Sequence, residues 1–178
     1  KGIKYLYLED ATYTTGNTGM GGTNFLEAER AVDEAINIMK TRPDESVGIA
    51  TMNIKQANYI EDLMDKKRTE DRDVNNYIKK WIESDSKVNQ FFVKNLANVQ
   101  GDERDVIIVS TLFGPDSISG QIRQTFGPIV QAGGQRRLNV LFTRAKNQLI
   151  LVTSLKSTDI KVEENSHEGK RIFKEYLA

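Results

Sequence analysis

Arg123, Arg136, Arg137, Arg144, Lys146 and Lys156 lie in a stretch of 42 residues, 117 to 158, that contains no Asp or Glu. At the overall acid density of the chain, 25 in 178 residues, such a stretch would hold about six acids. Cations gathered where no carboxylate competes for them point to an anionic partner. Arginine adds a planar fork of donors that suits phosphate or carboxylate oxygens.

Arg137 and Arg144 are the most informative of the six. The segment Gln135–Lys146 has a helical period with Leu138, Leu141, Phe142 and Ala145 along one side. Two arginines seven residues apart on that helix share nearly one azimuth at the border of the apolar side. The expectation is two guanidinium groups held by a packed helix and aimed at one spot, facing a ligand near the carboxyl edge of the sheet. Gly133-Gly134 precedes the helix. Apolar, β-branched runs at 105–113 and 149–153 flank it and fit strands buried on both faces of a parallel sheet. Before the first of these strands comes the polar turn Asn98–Asp105, with Gly101 at its sharpest bend.

Together, Val99-Gln-Gly-Asp-Glu-Arg-Asp105 and Arg136-Arg-Leu-Asn-Val-Leu-Phe-Thr-Arg-Ala-Lys146 resemble motifs V and VI of superfamily 1 helicases, in the subgroup that includes the Upf1-like enzymes. The flanking Phe92-Val-Lys-Asn95, Phe126-Gly-Pro-Ile129 and Ser154–Ile160 look closest to a bacterial group of large helicase-related proteins. The likeness extends from about Asn24 to the end. Thr51-Met-Asn53 resembles motif IV. The resemblance implies a RecA-like, P-loop NTPase-type three-layer α/β domain with a mainly parallel sheet and helices on both faces. It further implies a role for each matching residue. Arg144 would be an arginine finger reaching the γ-phosphate of ATP and Arg137 a second phosphate or positioning arginine. Glu103 would contact the nucleotide ribose, Gln56 would lie near the nucleotide, and Gly101 would be the bend that couples the nucleotide cleft to the nucleic-acid groove. Asn53 would lie near the path of single-stranded DNA or RNA. Ser110 and Thr111, at the end of a parallel strand, are candidate contacts to nucleic-acid phosphates.

A self-sufficient P-loop enzyme needs a Gly-rich loop ending in Gly-Lys-Ser/Thr and a strand-end acid for magnesium. The chain has neither: Gly169-Lys170 is followed by Arg171, and Asp33-Glu34 and Asp44-Glu45 follow no buried strand. The expectation is therefore the second of two RecA-like motor domains, 1–178, of an ATP-dependent nucleoside triphosphate hydrolase. ATP and the ligands of its Mg2+ would then depend on an N-terminal RecA-like domain, and the isolated chain would be inactive. Lys1 in place of an initiating Met fits an excised piece of a longer protein.

Composition sets further bounds. Formal net charge is zero, so polyanion binding must come from a local patch. With no Cys and one His, His167, disulfides, thiolate metal sites and His-based metal centres are excluded. No apolar run approaches the ~20 residues of a membrane span and no signal-like segment opens the chain, so a cytoplasmic location is expected.

Further strands are expected at 3–8, 47–52 and, more weakly, 88–93. Asn24–Lys40 is expected to be a helix capped by Asn24 with Glu27, its apolar stripe made of Leu26, Val32, Ala35, Ile36 and Met39. Helices are also expected at 54–66 and 74–84, joined by a solvated charged bend at 65–73, and at 167–177. Gly16–Gly22 reads as a flexible loop. Two positions depart from the helicase pattern: Ala57 stands where many relatives carry a phosphate-contacting arginine, and Ala97 where they often carry an acid. Two other readings stay open beside the motor domain. One is a degenerate RecA-like module that binds nucleic acid or a partner without hydrolysis. The other is an unrelated α/β domain whose basic stretch holds a small anion.

Overall fold

The structure is a computed structural model that describes residues 2–15 and 22–178; residues 16–21 of the expected glycine-rich loop lie outside the described residues. Five strands form one parallel sheet: β1 (Gly2–Tyr7), β2 (Val47–Thr51), β3 (Phe92–Asn95), β4 (Arg104–Ser110) and β5 (Ala145–Thr153), in spatial order β1-β5-β4-β2-β3. Strands β2 and β4 and the last five residues of β5 are almost wholly buried, as their unbroken apolar runs require. Alternate residues face opposite cores. Ala50, Ile107, Val109, Leu149 and Leu151 enter one, Val47, Ile49, Val106, Ile108, Ile150 and Val152 the other.

Helices α1 (Phe25–Thr41), α2 (Ile54–Glu70) and α3 (Arg72–Glu83) cover the second of these faces. Helices α4 (Gly134–Thr143) and α5 (Glu168–Leu177) and the 3-10 turn Gly127–Val130 cover the first. The result is the three-layer, RecA-like α/β architecture anticipated above.

Several boundaries differ from expectation. The charged bend at 65–73 is mostly helical: α2 runs to Glu70, and Asp71 then caps α3 by accepting from the amides of Asp73 and Val74. The stripe of α1 is rotated. Ala28, Ala31, Val32, Ala35, Ile38 and Met39 are buried together with Glu27, whereas Leu26 is exposed. The weak strand at 88–93 is displaced to 92–95. Helix α4 stops at Thr143, and Ala145 opens β5 instead of closing a helix. The last helix begins as expected, His167 accepting from the amide of Gly169 with Nδ1.

Candidate functional site

Two places matter, one at each edge of the sheet. At the amino edge, the segment following β3 crosses the sheet face to start β4. Val99 and Leu96 anchor it in the core, and the Asp102 carboxylate receives the Lys94 ammonium at 2.6 Å. Gly101 has φ +86, and no atom lies within 4 Å of where a Cβ would stand; the left-handed backbone, not crowding, demands glycine there. Arg104 is buried, donating to the carbonyls of Gln90 and Glu103 at 2.7 Å each while its guanidinium lies 4.7 Å from the Phe92 ring centroid. It pins the end of the turn.

The register of β4 against β5 brings the turn to the end of α4. Arg104 pairs with Ala145, and the Arg104 amide donates to the Arg144 carbonyl at 3.2 Å. Glu103 and Arg144 are thereby set side by side. Arg144 donates through Nε to the Val140 carbonyl at 3.1 Å, satisfying one of the helix's terminal carbonyls, and its Nη1 lies 3.5 Å from the Glu103 carboxylate. The Arg144 side chain keeps 23% of its surface exposed and Glu103 keeps 52%. Arg137 turns back toward the start of α4 and donates to the Ala132 carbonyl at 2.6 Å. With Arg136, Gly133 and Val140 it forms one wall of a cleft of about 450 Å³ whose other wall is Leu96, Ala97 and Gln100.

The 99–105 turn and the 136–146 segment thus meet in space, but not as the helical azimuth suggested. Arg137 and Arg144 sit at opposite ends of α4, roughly 10 Å apart along its axis. They have different partners. Arg144 lies at the amino edge of the sheet, not the carboxyl edge where a ligand was expected. A triphosphate fits this donor set: guanidinium groups with exposed surface, an adjoining cleft, and a single facing carboxylate, Glu103. Among the described residues no group of three or more His, Asp or Glu side chains could hold a metal ion.

The carboxyl edge holds a different construction, one that sequence reasoning missed. Glu27 is fully buried. One carboxylate oxygen accepts from the Ser110 hydroxyl and the Leu112 amide, both at 2.7 Å; the other accepts from the Ser154 amide and hydroxyl at 2.8 Å and from Thr111 Oγ1 at 3.2 Å. Burial pushes its pKa up to about 7, against the opposing pull of the hydrogen bonds from Ser110, Ser154 and Leu112. Next to it Gln56, also fully buried, accepts from the Asn24 amide at 2.9 Å and donates to the Asn24 carbonyl at 2.8 Å.

These contacts give four of the expected site residues partners within the fold. Ser110 and Thr111 are buried and their hydroxyls are bound to Glu27, so in this arrangement neither reaches a nucleic-acid phosphate. Gln56 is locked to Asn24 and Ser110, away from the amino-edge arginines. Asn53 caps α2, accepting from the Gln56 amide and donating to the Gly22 carbonyl, both at 2.8 Å. The signal for Glu27 was present: counting Ala28 and Ala31 as stripe residues rotates the buried arc onto it.

Asp116, which begins the acid-free stretch, is held well below the usual carboxylate range by the Thr15 hydroxyl and the amides of Ser119 and Ile118. Arg123 reaches it only loosely, at 3.9 Å, and stays 65% exposed.

Residues 6–156 match the AAA_12 family, described as an AAA domain. The chain belongs to this family. It is also 36% identical over 157 residues to a Mycoplasma genitalium protein named "Uncharacterized ATP-dependent helicase MG140", a match spanning 85% of this chain and 13% of that protein. The Mycoplasma pneumoniae homolog of that protein is 33% identical over 158 residues, 86% of this chain and again 13% of the relative. The chain therefore corresponds to about an eighth of the length of these relatives. The AAA domain match and the helicase-named relatives agree with a helicase-type motor domain. No helix among the described residues is long and apolar enough to cross a membrane.

Proposed function

We propose that this chain is the second motor domain of an ATP-dependent superfamily 1 helicase or translocase of the Upf1-like subgroup. In this reading ATP is held between it and an N-terminal RecA-like domain that carries the P-loop and the magnesium ligands. Arg144 is the arginine finger: its guanidinium, anchored by Nε on Val140, offsets the charge that develops on the transferred phosphoryl group. A finger of this kind is worth about 10³ to 10⁵ in turnover. Arg137 and the cleft beside Gln100 hold or orient the phosphate-bearing ligand, and Gly101 keeps the turn in the shape that brings both motifs to one face. Single-stranded DNA or RNA passes the opposite, carboxyl edge, where Lys55, Arg123 and Lys156 are exposed cations. Asn53, Gln56, Ser110 and Thr111 shape that edge from within.

The observation that carries the proposal is the juxtaposition of the Val99–Asp105 turn with the α4–β5 junction, which leaves a partly exposed guanidinium at the rim of the core. The experiment is Arg144→Ala in the intact protein: ATP turnover should fall by at least about 10³ while nucleotide binding stays within a few fold. Unchanged turnover removes the finger. A degenerate, non-hydrolysing module is the second reading, and one observation favours it: Ala57 is buried in the core, so no cation extends from that position. Absence of ATP turnover in the intact wild-type protein would decide for it.

A further inference from the structure

Glu103 lies where the resemblance implies a ribose contact, yet its carboxylate is spent on another group. The β4–β5 ladder fixes its neighbour, because the Arg104 amide to Arg144 carbonyl bond and the Arg104–Ala145 pairing leave residues 103 and 144 adjacent whatever their side chains do. The Arg144 stem is likewise fixed through Nε to Val140. What remains free is the outer end of the guanidinium, and there Nη1 meets Glu103 at 3.5 Å, a Coulombic contact too long and too exposed to brace the fold. In the acid-free sequence around Arg144 this is the single carboxylate that reaches it among the described residues.

We infer that Glu103 is a positioning residue for Arg144: it holds the outer nitrogens of the finger in the unloaded domain and gives them up to the nucleotide's terminal phosphate. This rests on the reading of Arg144 as a phosphate-contacting arginine. A carboxylate carries one negative charge and the competing phosphate carries more, so the exchange runs toward the nucleotide when it is bound. The geometry has two consequences. The guanidinium is kept pointing outward before ligand arrives, and nucleotide affinity is set below what a free arginine would give.

The test is a double-mutant cycle in the intact protein, with equilibrium binding of slowly hydrolysed ATPγS and steady-state ATP turnover as readouts. Glu103→Gln should tighten binding and lower KM by about two- to fivefold at low salt, the range of a half-exposed ion pair, and the gain should shrink as ionic strength rises. The same substitution in an Arg144→Ala background should leave affinity unchanged, which a general structural effect would not do. If Glu103→Gln instead weakens ATP but not an analogue lacking both ribose hydroxyls, Glu103 is a ribose contact and the inference falls while the nucleotide site stands. No change in affinity or KM at low salt also overturns it. If Arg144→Ala leaves turnover intact, the finger reading fails first and this inference with it.

Discussion

The two oxygens of the Glu27 carboxylate each accept a backbone amide, from Leu112 at 2.7 Å and from Ser154 at 2.8 Å, so one side chain on α1 joins the chain leaving β4 to the chain leaving β5. Those amides have no water to turn to. Glu27→Ala should therefore destabilise the fold by about 2–6 kcal/mol, two buried donors left unpaired at about 1–3 kcal/mol each. Urea denaturation measures it, and a midpoint equal to wild type would contradict the role.

The same group makes stability depend on pH in an unusual direction for an acid. Its folded pKa of about 7 lies above the ordinary 4.5, so the fold binds a proton that the unfolded chain has already released. The stabilisation is complete below about pH 4.5 and is lost as pH rises through 7. Against Glu27→Gln, whose side chain does not titrate, wild-type stability should decline by as much as roughly 3 kcal/mol across that window and then level off. A flat difference between pH 4.5 and 8 would be incompatible with this.

Because Ser110 and Thr111 serve Glu27, their loss should register in stability and not in nucleic-acid binding. Ser110→Ala is expected to cost about 1 kcal/mol while leaving the affinity of the intact protein for single strands within twofold. A large drop in affinity with unchanged stability would restore a direct contact.

Gly134 opens α4 against the loop before it, and a Cβ there would come within 2.2 Å of the Ile129 carbonyl oxygen. Backbone oxygen cannot swing aside as a side chain would. Gly134→Ala should cost about 1–3 kcal/mol by overpacking, visible in the thermal midpoint; full tolerance would mean that α4 does not seat where described.

The chain by itself lacks a phosphate-gripping loop, so the isolated polypeptide should hydrolyse no ATP above the buffer rate. Turnover measured from it, abolished by Arg144→Ala, would require a catalytic site within these residues alone.

Much of this architecture was legible because burial writes itself into apolar runs. Val106–Val109 and Leu149–Val152 read as two-faced strands, and both cores are found on them. Elements failed where two physical terms compete. Thr143-Arg-Ala-Lys146 has no helix breaker, yet pairing of Ala145 with Arg104 ends α4 early. Lys66 and Glu70, read as a solvated bend, are spaced to support a helix and do so. The motif resemblance singled out Arg144 and Glu103 separately, but only the strand register, which sequence spacing does not encode, makes them neighbours. Glu27 stayed hidden because an acid beside a cap reads as a capping partner, and its five donors come from segments more than 80 residues away.

Gly169, near the start of α5, meets the same Ile129 oxygen as Gly134, within 2.0 Å of where its own Cβ would stand. A single carbonyl is wedged between two helices that present only hydrogen to it. Both helices close on the 127–130 turn at that one oxygen, so the seating of α4 and of α5 depends on the same backbone atom. Any larger side chain at position 134 or 169 would therefore have to push the 127–130 turn away from both helices at once.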